Sequence, residues 1–222
     1  MAIDASERRT LPALLVRQWL PGWNQVDFNK KEHRSQPEPH FYLFSLPARE
    51  LRSLSGISRR HAGSGNSRTE DMGIQRQHDP DRSAEIKRYV EFGYPWSTLS
   101  EARRASAEFN DLRKPGWLPT AVVLNILGPD QHRPTGSVVK SDAVRVLTGE
   151  QPRIELPYTK WSPEWHPQSA PPFEIIDGQH RLWAFDRKSG FDAYDLPVVA
   201  FYNLDVSWQA YLFWTSTSSR KE

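Results

Sequence analysis

Within the stretch FEIIDGQHRLWAF, residues 173–185, five consecutive residues carry chemistry: Asp177, Gly178, Gln179, His180 and Arg181. Four residues of strand character run into Asp-Gly, and a helix-like pattern follows at once. With Asp177 as N-cap, its carboxylate accepts a hydrogen bond from a first-turn N–H. His180 and Arg181 then fall in the first turn, where a cation opposes the helix dipole by roughly 0.3–1 kcal/mol. An anion at the turn reverses that sign. A helix start offers backbone N–H groups to such an anion, and Gly178 lets a ligand approach the main chain closely. Arg181 adds a fork suited to phosphate, His180 a further donor, and Gln179 a contact to a phosphate oxygen or a metal-bound water. The pattern reads as a phosphate-binding turn. The plain alternative is that Asp-Gly makes the corner, while Arg181 pairs with a carboxylate or extends into solvent.

A second first turn repeats the oddity. Arg82 lies near the start of an expected helix over 80–92, and Arg76 lies just before it in the segment GIQR. Asp79, Asp81 and Glu85 surround Arg82 and can neutralise it. Two basic turns on opposite sides of one cleft would suit a polyphosphate. For hydrolysis a water-activating base is needed, and the candidates are Asp177, Glu174 and Asp71, none at distinctive spacing.

Other chemistries lack residues. There is no cysteine, which excludes disulfides, zinc-thiolate sites and thiol catalysis. No GxxxxGK[ST], HExxH or GxSxG motif occurs. The seven histidines are scattered, with no pair at ligand spacing beside a carboxylate, so a metal is expected only through a nucleotide. RRASAEFNDLRK (103–114) is basic and helix-capable; it reads as a solvated face or as a contact to a nucleic-acid backbone. Trp161 and Trp165 lie among prolines, where they could stack on a base or pack a long loop onto the core.

The elements that must position these residues follow from pattern and punctuation. At 222 residues, 37% hydrophobic and with nine tryptophans, the chain can bury a sizeable core as one domain or two small ones. Its net charge of +2 identifies no partner. No apolar run approaches the roughly 20 residues of a membrane span, and the N-terminus makes a poor signal peptide, so a cytoplasmic location is expected. HFYLFSLP (40–47) reads as a strand, and the residues after it as a short helix ending near Gly56. Residues 59–71 read as a loop. Asp79 as N-cap, Pro80 at the first helical position and Gly93 past the end bound a helix whose apolar face is Ile86, Tyr89 and Val90. LPTAVVLNILG (118–128) reads as a buried strand, and 129–172 as a long proline-rich connection. Strand 173–176, helix 178–189 closed by Arg187, Lys188 and Gly190, strand 196–203 and a helix from about Asp205 complete a mixed α/β (α+β) pattern.

The same residues resemble a family signature. DGQHR at 177–181, in the context IIDGQHRLWAF, resembles that of the DGQHR-domain proteins, which include DndB-type proteins linked to DNA phosphorothioation. That group is related to the ParB/sulfiredoxin-like superfamily. GIQRQHDPDRSAEIKRYV looks like the family's upstream Gln-Arg segment with its helix, GWLPTAVVLNI like its strand, and LPVVAFYNLDVSWQAYLFWT like the strand and helix after the signature. The resemblance implies a ParB/sulfiredoxin-like mixed sheet flanked by helices over 40–215, with 1–39 as an N-terminal extension. It implies a phosphate role for Gly178, His180 and Arg181; with Gln179, Gln75, Arg76 and Arg82 from the two turns, these make up the candidate phosphate- or nucleotide-binding set. The expected ligand is a nucleoside triphosphate, ATP or CTP, together with Mg2+. Gln179 stands where ParB-like proteins carry a glutamate that helps hold magnesium, and an amide is a weaker metal ligand than a carboxylate. The absent cysteine rules out sulfiredoxin chemistry. The implied role lies close to DNA, in modification, restriction or control of the genes for these, with DNA and a second copy of the chain as partners and no membrane. A DNA-binding regulator without catalysis, or an inactive fragment, is the alternative.

The end reads YLFWTSTSSRKE and turns abruptly polar after Thr215. In the resembled family the chain continues with a segment like Ile-Asn-Ile-Lys-Pro-Lys. Codons for it, read one base later, give the Ser-Thr-Ser-Ser-Arg of 216–220. The tail 216–222 is therefore expected to be out of frame or truncated, leaving Trp208, Phe213 and Trp214 short of packing partners; an ordinary polar tail is the alternative.

Overall fold

The computed structural model describes residues 8–32, 34–56, 79–129, 131–133, 136–185, 191 and 193–218. Two strands, β1 (Thr10–Pro12) and β2 (Leu14–Arg17), precede residue 40. Strand β3 (His40–Pro47) runs directly into helix α1 (Ala48–Leu54), which is followed by the two-residue strand β4 (Ser55–Gly56). Helix α2 (Pro80–Phe92) and the single turn α3 (Glu101–Arg104) lead to strand β5 (Val122–Ile126). Four short strands then replace the expected connection: β6 (His132–Arg133), β7 (Gly136–Ser137), β8 (Arg145–Leu147) and β9 (Arg153–Glu155). Strand β10 (Phe173–Asp177), helix α4 (Gln179–Trp183), strand β11 (Asp195–Tyr202) and helix α5 (Val206–Ser218) complete the order.

The main sheet has six strands in the order β2-β3-β11-β5-β10-β4. It is mixed: β11 runs parallel to β5 and β4 parallel to β10, while the β2–β3, β3–β11 and β5–β10 pairs are antiparallel. Strands β1, β9 and β8 form a second antiparallel sheet, and β6 with β7 a hairpin. The mixed α/β class expected from the order of elements is therefore the class observed.

Two-residue alternation explains which face is buried. Tyr42, Phe44 and Leu46 of β3 and Leu196, Val198 and Ala200 of β11 all enter the core, where Leu51 and Leu54 of α1 and Leu182 of α4 cover them. Strand β10 is buried on both faces from Phe173 to Ile176, which suits its place between β5 and β4. Glu50 of α1, 2% exposed, takes both Arg9 Nη1 contacts at 2.7 and 2.8 Å and the Tyr158 hydroxyl at 2.8 Å. Burial first, then the Glu50 charge, raises the Tyr158 phenol well above its ordinary value.

Helix α2 matches its expected bounds because its ends are set locally. Asp79 Oδ1 accepts from the N–H groups of Asp81 and Arg82, Pro80 leads, and Gly93 at φ 68° donates to the Tyr89 carbonyl. The strand expected over 118–128 is confined to 122–126. Gly116 and Leu118 are drawn instead to the hydroxyl of Tyr194, which donates to the Gly116 carbonyl at 2.8 Å and accepts from the Leu118 N–H at 3.1 Å.

Candidate phosphate-binding turn

Strand β10 ends at Asp177, and the pairing register with β5 shifts between Ile175 and Asp177. Asp177 is thus the last strand residue, not the N-cap. That place belongs to Gly178, at φ 92° and ψ 13°, with no side-chain cap. The left-handed conformation is what a residue without Cβ adopts readily, so the corner is made by Gly178 itself. Helix α4 ends at Trp183, well short of the expected residue 189, and the expected closing residues Arg187, Lys188 and Gly190 lie outside the described residues. Arg52 Nη1 donates to the Phe185 carbonyl at 2.9 Å and so fixes the far end of the turn from α1. Leu182 and Phe185 are fully buried, as their spacing predicts, and α2 packs against α4.

Arg181 folds back over the corner. Its Nη2 donates to the Ala121 carbonyl at 3.0 Å and stands 3.6 Å from Asp177 Oδ2, beyond hydrogen-bond length. A Cβ on Gly178 would lie 2.8 Å from the same Nη2 and 3.2 Å from Val122 Cα, so the glycine also makes room for the guanidinium. Gln179 is buried, and its Nε2 lies 3.4 Å from His180 Nε2; His180 and Arg181 are half-buried. One corner therefore gathers a carboxylate, an amide, an imidazole and a guanidinium.

The remaining sequence-derived residues fall differently. Arg82 is exposed on the first turn of α2, a helix that neighbours α4. Gln75, Arg76 and Asp71 lie outside the described residues. Glu174 is no base for water. Arg133 Nε and Nη2 grip its two oxygens at 2.7 and 3.0 Å, while the amides of Gln209 and Asn125 donate to Oε2 at 2.8 and 3.2 Å. A carboxylate holding four such donors under α5 is a structural anchor.

The chain was compared with protein-family models, curated proteins and solved structures. Nothing matches it.

Among the described residues no three His, Cys, Asp or Glu side chains converge on one point, and no helix is long and apolar enough to cross a membrane. Trp161 and Trp165 pack inward: the first donates to Ser53 Oγ at 2.9 Å, and the second sits edge-on to Tyr158 with ring centres 5.2 Å apart. The basic stretch 103–114 folds as short turns, with Arg113 over the Trp96 ring at 4.7 Å and Arg103 over Phe109 at 6.0 Å. One further exposed tryptophan, Trp117, stands on the segment leading to Ala121. Pro115, Gly116 and Pro119 flank it in sequence.

Proposed function

We propose that this chain is a DGQHR-type protein with a ParB/sulfiredoxin-like fold, binding a nucleoside triphosphate at the Asp177–Arg181 turn within a DNA-modification or restriction system. The observation that carries the reading is the corner itself. It stands at the carboxyl end of β10, where open α/β sheets place their ligands, and it presents His180 and Arg181 together. The 3.6 Å separation of Arg181 from Asp177 is a loose pairing that a phosphate oxygen can replace with a charge-assisted bond. ATP and CTP are the candidate ligands. Mg2+ would arrive with the triphosphate, and Asp177 is the carboxylate on the corner able to meet it; Gln179 supplies only a neutral oxygen. DNA is the partner that the resemblance implies, and phosphate contacts to it would weaken steeply with salt.

Calorimetric titration with ATP, CTP and GTP, with and without Mg2+, tests the reading. Binding of one triphosphate is expected, with Arg181→Ala weakening it roughly 10- to 100-fold, the loss of one hydrogen bond to a charged group. Equal binding by Arg181→Ala and the unaltered chain would instead assign Arg181 to holding the corner through Ala121. A folded chain that takes up none of the three nucleotides would remove the proposal altogether.

A further inference from the structure

On the face of β3 and β11 turned away from the core lies a cavity of about 490 Å3, within the size range of small-molecule sites. The chain between β2 and β3 covers one side of it and α5 the other. Its wall is a continuous series of rings. Trp23 stands edge-on to Trp19 (5.4 Å, 88°), Trp19 stacks on Phe28 (6.3 Å), Phe28 meets Trp208 (6.2 Å), and Trp208 is edge-on to Tyr211 (6.2 Å, 86°). Phe41 and Phe201, 5.4 Å apart, form the floor.

Two of the indole donors on this wall are engaged elsewhere. Trp19 Nε1 donates to Asn24 Oδ1 at 2.8 Å, and Trp208 Nε1 to the Ser35 carbonyl at 2.7 Å. The ring faces not stacked on a neighbour offer a ligand π surface, which is negative. Of the described residues lining the cavity, Glu38 is the one carboxylate, and no lysine or arginine lines it. His40 is joined to Tyr42 by a 2.9 Å contact. The charge of Glu38 is felt beyond the rim: the Tyr42 phenol is held above its usual range by burial first and by Glu38 second.

We infer that this cavity is a binding site for a small organic cation, of the quaternary or methylated ammonium class. Several aromatic rings lining one cavity suit a methylated ammonium, since such cations are recognised by aromatic faces. An anionic ligand would meet both the ring faces and Glu38 with the wrong sign. A neutral apolar ligand would gain nothing from Glu38. The site is separate from the Asp177 corner, and the two readings stand or fall independently.

The test uses choline and its uncharged carbon isostere 3,3-dimethylbutan-1-ol, which share shape and hydroxyl but differ in charge. Tryptophan fluorescence of the full chain is the readout. Choline is expected to give a saturable change, with the isostere at least ~10-fold weaker, the scale of a desolvated cation–π contact. Glu38→Gln and Trp23→Ala, both at exposed positions, are each expected to weaken choline by ~3- to 10-fold while circular dichroism stays unchanged. Equal binding of choline and the isostere would make the cavity merely apolar and overturn the proposal. So would the absence of a saturable change at ~10 mM choline, or unaltered affinity in both variants.

Discussion

At Gly178 the backbone sits at φ 92°, while at Gly116 it does not enter the left-handed region, yet both positions resist a side chain. The reasons differ, and so do the expected penalties. At Gly178 an added Cβ meets first the far end of Arg181, which can move, so the penalty is mainly conformational, about 1–2 kcal/mol. At Gly116 the Cβ would fall 1.9 Å from the Tyr89 carbonyl oxygen and 2.5 Å from Val90 Cα, both backbone atoms of α2. Either α2 or the strand lead-in must then shift. Gly116→Ala is expected to lower unfolding stability by ~3 kcal/mol or more, beyond Gly178→Ala. Urea unfolding of the two variants gives the ranking, and a reversed order would show that the corner is held more rigidly than Arg181's reach allows. Gly178→Ala also displaces Arg181 from Ala121, so its stability loss and any nucleotide effect should be read on the same sample.

At the level of elements, legibility followed how local the determinants are. The ends of α2 were readable because Asp79, Pro80 and Gly93 act within a few residues of themselves. Strands β3, β5, β10 and β11 announced themselves through β-branched and aromatic runs. Strands of two to four residues such as β6–β9 carry no period to read; their pairing across the chain defines them. Asp177 was misplaced for a related reason. Its N-cap chemistry is real in isolation, but pairing with β5 keeps it in the strand and hands the corner to Gly178. Glu174 shows the same competition: a lone acid in sequence, it becomes the point where β10, β5, the β6 strand and α5 meet. Removing one member leaves a buried charge behind. Glu174→Leu and Arg133→Met are each expected to lose about 3–5 kcal/mol, and the double variant distinctly less than their sum. Additive losses in denaturant unfolding would mean that the two side chains do not interact as an ion pair.

Over the whole molecule, residues before position 40 belong to the architecture that carries the corner. Strand β2 pairs with β3 at one edge of the main sheet, and β1 pairs with β9. Leu11 and Ala13 lie in the same core cluster as Leu182 and Phe185 of the α4 region. Arg9 is the tightest link. Its backbone bonds Tyr158 and Leu156 at 2.9 Å each, and its guanidinium neutralises the buried Glu50. No periodic signal in residues 8–17 foretells this, because it is created by one ion pair to Glu50, the pairing of β2 with β3, and the pairing of β1 with β9 across more than a hundred residues. A chain beginning at residue 40 would keep the DGQHR corner while leaving Glu50 buried with Tyr158 as its partner and the outer edge of β3 bare. Such a chain is expected to melt at least ~6 °C lower than the chain of 222 residues, or to lose cooperative unfolding. Arg9→Ala in the full chain should account for a large share of that loss, which separates the ion pair from the strand pairings. Cooperative melting of the shortened chain within ~2 °C of the full one would show that 40–222 folds on its own, with the first strands an accessory to it.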